Sequence, residues 1–160
     1  VSYAHPGLAS NLDLDAYHRS SSDNFFLQSC AKKDGESADG RFSQAGSDAM
    51  YLFHHPNFMV NRYGDWMDTN TVWPTGVDSC IIDFDWFARR EIAQDKAQVE
   101  AALSASDLVQ EEDEALCLRV QAGLRSKGYR AGRYAPTLEE GEFCFHKKLY
   151  RDLQSSSLYQ

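Results

Sequence analysis

Asp113 is the residue whose type and position most plainly call for chemistry. On a helix turning about 100° per residue, Val109, Leu116, Cys117, Val120 and Leu124 all fall within about 60° of it. Its acidic neighbours Glu111, Glu112 and Glu114 project elsewhere. A carboxylate in an apolar stripe is costly unless it has a partner, a shifted pKa or a metal. Two readings stay open from the residues alone. One is a core acid satisfied by an Arg, an Asn or a backbone donor. The other is a metal ligand, since non-haem iron commonly takes two histidines and one carboxylate on one face and leaves positions open for oxygen and substrate. The histidines available are His5, His18, His54, His55 and His146. Spacing pairs none of them: His54 and His55 are adjacent and would point to opposite faces of a strand, while His18 and His146 read as surface residues.

Other chemistries find less footing. The chain has no G-x-S-x-G elbow, glycine-rich phosphate loop or zinc-type Cys/His spacing, and Cys117 reads as packing rather than as a nucleophile. A formal net charge of −8 argues against a nucleic-acid binder, which needs a basic footprint. The cysteines Cys30, Cys80, Cys117 and Cys144 stand far apart and read as reduced, buried thiols of an intracellular protein. There is no apolar run near the length that spans a bilayer and no targeting leader. Tyr51, Phe53, Phe58, Tyr63, Trp66, Trp73, Phe84 and Trp86 form an aromatic stock; most are expected in the core, and a few rings suffice to hold a quaternary ammonium by cation–π attraction.

The elements that must position these groups follow from patterning. The 160 residues, 42% of them hydrophobic, suit one domain with a core of its own. Phe25 to Cys30 reads as a strand, and the polar Lys32 to Asp48 as a long hairpin connection. Tyr51 to His55, Phe58 to Tyr63, Met67 to Trp73 and Cys80 to Phe87 are short aromatic and β-branched runs. Pro56-Asn57, Gly64-Asp65 and Pro74-Thr75-Gly76 separate them, which predicts an antiparallel meander. From about Ile92 to Ser126 the period becomes helical, with a break expected near Ser104 to Ser106, where Asp107 could cap a second helix. Glu142 to Leu153 reads as a short strand or helix. One sheet followed by one long helix indicates α+β, with the helix across the sheet and Asp113 facing it.

Three blocks carry a family resemblance. They are Tyr3-Ala4-His5-Pro6-Gly7-Leu8, the run from Tyr51-Leu52-Phe53-His54-His55-Pro56-Asn57 through Arg62-Tyr63-Gly64, and Trp66-Met67-Asp68-Thr69-Asn70. The pattern returns at Val109-Gln110-Glu111-Glu112-Asp113, Leu116-Cys117, Val120-Gln121 and Gly123-Leu124, and again at Gly132-Arg133-Tyr134 and Phe145-His146. Over nearly its whole length the sequence resembles the plant-type choline monooxygenases, which are Rieske oxygenases. The resemblance implies a helix-grip catalytic domain, a curved antiparallel sheet packed on a long C-terminal helix. Residues 1–160 would be its C-terminal part, with a Rieske [2Fe–2S] domain upstream. It also implies a mononuclear Fe(II) held by two histidines of an H-x4-H motif and a distant aspartate. His5 matches the second histidine and Asp113 the aspartate; the first would lie immediately before Val1, so the 160 residues alone are expected to be inactive.

What the resemblance implies for function is the hydroxylation of choline to betaine aldehyde hydrate, the first step toward glycine betaine. Dioxygen and electrons from reduced ferredoxin would be used, in a homo-oligomer where electrons pass between subunits. His5 and Asp113 are then ligands and not acid–base groups. Val109, one turn before Asp113, would line the pocket, and Trp73 and Trp86 would meet the trimethylammonium group. Location in the chloroplast stroma follows for a plant-type member, and a cytoplasmic one otherwise. His54-His55, Trp73-Pro74-Thr75-Gly76 and the long Lys32 to Asp48 loop depart from the family pattern. A rival within the class is a Rieske oxygenase that N-demethylates glycine betaine, carnitine or a related compound, with Arg62 as the nearest cation for a substrate carboxylate. A rival outside it is a non-catalytic helix-grip ligand-binding module, which leaves His5 and Asp113 without a task.

Overall fold

The computed structural model describes residues 16–30 and 49–156. Six strands form one antiparallel sheet: β1 (His18–Ser21), β2 (Phe25–Cys30), β3 (Ala49–His54), β4 (Phe58–Tyr63), β5 (Trp66–Pro74) and β6 (Cys80–Ala88). Every strand pairs with its neighbour in sequence, in the order β1-β2-β3-β4-β5-β6. The expected meander is therefore present, with strand limits within about two residues of those read from the turn chemistry. The strand absent from that reading is β1, whose His-Arg-Ser-Ser sequence offers no apolar alternation. Pairing of β2 with β3 makes Lys32 to Asp48 a hairpin connection as expected, although the connection itself lies outside the described residues.

The β4–β5 turn shows why the register is fixed. Tyr63 pairs with Trp66 across only Gly64 and Asp65, and Gly64 takes a φ of 55°. A two-residue hairpin turn needs a positive φ at its first central position, which glycine supplies without steric cost. Arg89 closes this end of the sheet: its Nε meets Asp65 Oδ1 at 2.7 Å and its N–H donates to the Asp65 carbonyl at 3.0 Å.

After the sheet come a short α1 (Arg90–Ala93), a long α2 (Lys96–Leu124) and α3 (Glu140–Ser155). The helical stretch is interrupted, but not at the expected place. Ser104 to Ser106 lie inside unbroken helix, and the break falls at Gln94-Asp95. Asp95 is the cap in place of Asp107, its carboxylate accepting from the Gln98 N–H at 3.1 Å. Two serines spread over one turn cost a helix little, whereas a capping Asp with extended backbone satisfies an otherwise orphaned donor.

The tail resolves to helix, and α3 lies on β1–β3. Gly141 sits directly against the Phe26 ring. Phe145 meets Phe53 edge-on at 5.4 Å between centroids. Asp152 accepts from His55 Nε2 at 2.9 Å and from Lys148 at 2.6 and 2.7 Å, and Ser21 and Arg19 of β1 reach Glu140 and the Thr137 carbonyl. The long helix is thus followed by a further helix, whose side chains clamp the first half of the sheet. No helix among the described residues is long and apolar enough to cross a membrane.

Candidate active-site face

Alternation along the strands sorts side chains onto two faces. One carries Phe26 and Gln28 of β2, Tyr51 and Phe53 of β3, Met59, Asn61 and Tyr63 of β4, and Trp66, Asp68 and Asn70 of β5, with Phe84 and Trp86 of β6. On β5 the residues of this face, Trp66, Asp68 and Asn70, are all buried. It is the same face that α3 covers at Phe26 and Phe53. The inner face therefore holds six of the eight aromatic residues read as candidate rings, Phe58 and Trp73 being on the other side.

Asp68 is the most buried charged group here, at 1% exposure. Its Oδ2 accepts from Asn61 Nδ2 at 2.7 Å and from Asn70 Nδ2 at 2.6 Å, and its Oδ1 from the Tyr63 hydroxyl at 3.1 Å. The β4–β5 register builds this cluster, since it sets Asn61 directly opposite Asp68. Burial pushes the Asp68 carboxyl above its usual range, and the hydrogen bonds from Asn61, Asn70 and Tyr63 pull it back. The Tyr63 hydroxyl is pushed well up by burial and by the adjacent Asp68, and Tyr51 is raised by burial in the same way. The two tyrosine rings meet edge-on at 5.7 Å. Trp86 stands across from Asp68 on β6, stacked at 6.4 Å and 11° with Phe84.

The sequence-predicted residues are placed unevenly. Asp113 lies mid-way along α2, half-buried, with Val109 and Leu116 also half-buried beside it. Its stripe is not covered along its whole length: Cys117 is exposed, as are Leu118, Val120 and Leu124. The expectation of a fully buried carboxylate is corrected accordingly. It assumed that apolar periodicity means burial, and Cys117, Val120 and Leu124 are exposed. His5 lies outside the described residues. Trp86 is half-buried on the inner face, whereas Trp73 is 52% exposed and on the opposite face, so the structure does not bring these two rings together. Arg62 is likewise exposed on the opposite face.

None of the four cysteines is in a disulfide, as expected, but only Cys30 is buried; Cys80 and Cys117 are exposed and Cys144 half-buried. His18 and His146 are exposed, as read.

Iron demands several ligands converging on one point. Among the described residues no three His, Cys, Asp or Glu side chains come together in that way. Asp113 is of the residue type that such a set takes for its carboxylate, but one carboxylate does not make the site. A hollow between α3 and the β2–β3 end, lined by Phe26, Phe53, His55, Cys144, Phe145 and Lys148, has a volume of about 20 Å³, room for roughly one water. It is too small for an organic substrate.

The Asp68 cluster escaped the sequence reading because Asp68-Thr69-Asn70-Thr71 is an unbroken polar run, and four polar residues in a row show no sign of a buried face. The available signal was the tight Gly64-Asp65 turn, which places Asn61 and Asp68 opposite each other whichever face they take.

Residues 2–155 match the family described as ring hydroxylating alpha subunit (catalytic domain). The chain is 44% identical over 154 residues to the chloroplastic choline monooxygenase of Arabidopsis thaliana, covering 96% of this chain and 36% of that protein. To the Beta vulgaris choline monooxygenase it is 38% identical over 154 residues, 96% of this chain and 34% of that one. The chain thus spans about a third of the length of these curated relatives. A solved quaternary ammonium Rieske monooxygenase, studied for carnitine oxidation by gut microbiota and inter-subunit electron transfer, superposes with a TM-score of 0.74 at 24% identity. That likeness, one of fold, covers 96% of this chain and 42% of the other. A sheet of antiparallel strands followed by helices, the half-buried Asp113 on the longest of them, and the match over residues 2–155 agree: the chain belongs to the ring-hydroxylating alpha-subunit catalytic-domain family of the Rieske oxygenases.

Proposed function

We propose that this chain is the C-terminal part of the catalytic domain of a choline monooxygenase. The observation that carries the reading is the identity of 37–44% to choline monooxygenases over 96% of the chain. The full protein would convert choline, dioxygen, two electrons and two protons to betaine aldehyde hydrate and water, in the synthesis of glycine betaine. The family implies a non-haem iron and a Rieske [2Fe–2S] cluster. His5 and Asp113 would hold the iron together with a histidine upstream of Val1, and the bound iron would supply activation of dioxygen. The Rieske cluster would sit in an upstream domain, and the sheet and α2 would form a helix-grip core around the substrate.

The residues of this chain would do the binding and shielding. Val109, on the same helix face as Asp113 and half-buried, would pack beside the substrate and keep water from it. Trp86 would offer its ring to the trimethylammonium group. Trp73, on the outer face, would serve substrate only from outside this sheet surface. The full protein would take its electrons from reduced ferredoxin, assemble as a homo-oligomer and reside in the chloroplast stroma; the choline monooxygenases it resembles are chloroplastic.

The placement of Arg62 favours choline over a carboxylated substrate. A betaine or carnitine bound against Trp86 would need a cation nearby, and Arg62 points away from that face. Supplying the full-length, iron- and cluster-loaded protein with reduced ferredoxin, dioxygen and choline should yield betaine aldehyde. Formaldehyde release with a betaine substrate, and no betaine aldehyde from choline, would replace this reading with N-demethylation.

A further inference from the structure

Among the described residues, no cation lies beside the buried carboxylate that the inner face carries at Asp68. Asp68 is sealed from solvent, and its three hydrogen-bond partners, Asn61, Asn70 and Tyr63, are all neutral. An amide NH2 and a hydroxyl present protons to both oxygens, a shell that suits the carboxylate rather than the acid. The cation in the same cross-strand row is Arg19, reached through Gln28, Tyr51 and Asn61. It stands four strands away, about 19 Å at ~4.8 Å per strand. Its guanidinium lies over the Tyr17 ring at 5.3 Å and on the Thr137 carbonyl.

An ion pair is thus half-built. Directly across from Asp68, on the same face, Trp86 presents a half-buried indole stacked on Phe84. A cation resting on that ring gains the attraction of the ring face. It also gains the field of a carboxylate in surroundings that screen it far less than water does.

We propose that Asp68 is the specificity-determining residue for a cationic substrate: its buried carboxylate supplies the counter-charge, and Trp86 opposite it supplies the surface on which the quaternary ammonium rests. Asp68 acts through space and through Trp86, without touching the reacting atoms, so it is a positioning residue. The proposal rests on the choline reading and adds to it the group that distinguishes a charged head from a neutral one of the same shape.

The test uses the full-length, iron- and cluster-loaded enzyme with choline and with its uncharged carbon isostere, 3,3-dimethylbutan-1-ol. The wild-type enzyme should prefer choline in kcat/KM. Asp68→Asn should cut that preference by about tenfold or more, through a raised KM for choline, while KM for the isostere stays unchanged. A purely structural role would weaken both substrates alike, and an unchanged preference in a variant with normal iron, cluster and circular dichroism overturns the proposal. Should Asp68→Asn not fold, Trp86→Leu makes the same measurement on a half-buried ring, and an undiminished preference there overturns it equally. Wild-type enzyme that oxidises neither alcohol overturns the choline reading itself, an outcome distinct from oxidation of both without preference, which overturns only the role of Asp68.

Discussion

Two aspartates carry the proposed chemistry, and they were unequally legible. Asp113 could be found from the helical angle of its neighbours, because a carboxylate among apolar residues contradicts the local pattern. Replacing it by Ala in the full-length protein should abolish iron binding and turnover; metal analysis showing wild-type iron with normal turnover would refute its role as a ligand. Asp68 was illegible because it opens a run of polar residues, Asp68-Thr69-Asn70-Thr71, in which no position stands out, and its burial shows only in the folded sheet. Its folded-state carboxyl lies above the usual 3.8, burial outweighing the hydrogen bonds. Its contribution to stability is therefore fully present below pH 3.8 and is lost as the pH rises through the higher folded value. Removing a donor sharpens this. Asn61→Leu should destabilise the fold by about 1–3 kcal/mol at neutral pH and by less near pH 4. Denaturant titrations at the two pH values would check it, and an equal loss at both would show that Asp68 is not charged at neutral pH.

At the scale of elements, the hairpins were legible because turn residues at Gly64-Asp65 and Pro56-Asn57 cut the chain where the backbone must reverse. The site of the helix break was not. Ser104 to Ser106 resemble a break in composition, but α2 continues through them, since serine in a helix is only mildly unfavourable and no proline enforces a stop. The role of α3 was hidden as well, because Gly141 looks like a loop residue and is instead a contact. A Cβ built there would lie 2.5–2.9 Å from three atoms of the Phe26 ring, itself buried at 7% exposure. Gly141→Ala should therefore destabilise the protein through overpacking worth about 1–3 kcal/mol. That outweighs the gain of up to about 1 kcal/mol that alanine brings to a helix. Urea unfolding would check this; a midpoint equal to or above the wild type would mean that Phe26 yields. The Asp152 carboxylate that ties α3 to His55 is held below its usual range, chiefly by Lys148. That tie is accordingly present above the ordinary carboxylate pKa and is lost as the pH falls through the lowered one.

For the whole molecule, the sequence-ordered meander means that each strand forms against the one just made, so the sheet assembles from local contacts. The same order leaves two strand edges among the described residues, and they are protected differently. The edge at β1 is only four residues long and is held by α3 through Ser21 and by the neighbouring Thr137 through Arg19. The edge at β6 is nine residues long, with Ile81, Ile82 and Phe87 exposed. A long apolar edge is a template for pairing with another chain, and inserted charges are what deter it. Asp83 and Asp85, exposed on that strand, stand where a second copy would have to dock, so their carboxylates act as guards of solubility as well as strand residues. Asp83→Val together with Asp85→Val should leave the fold intact yet drive the protein into β-rich aggregates, visible by light scattering and thioflavin fluorescence. A double variant as soluble as the parent would show that the open flank of the sheet is kept apart by something other than charge.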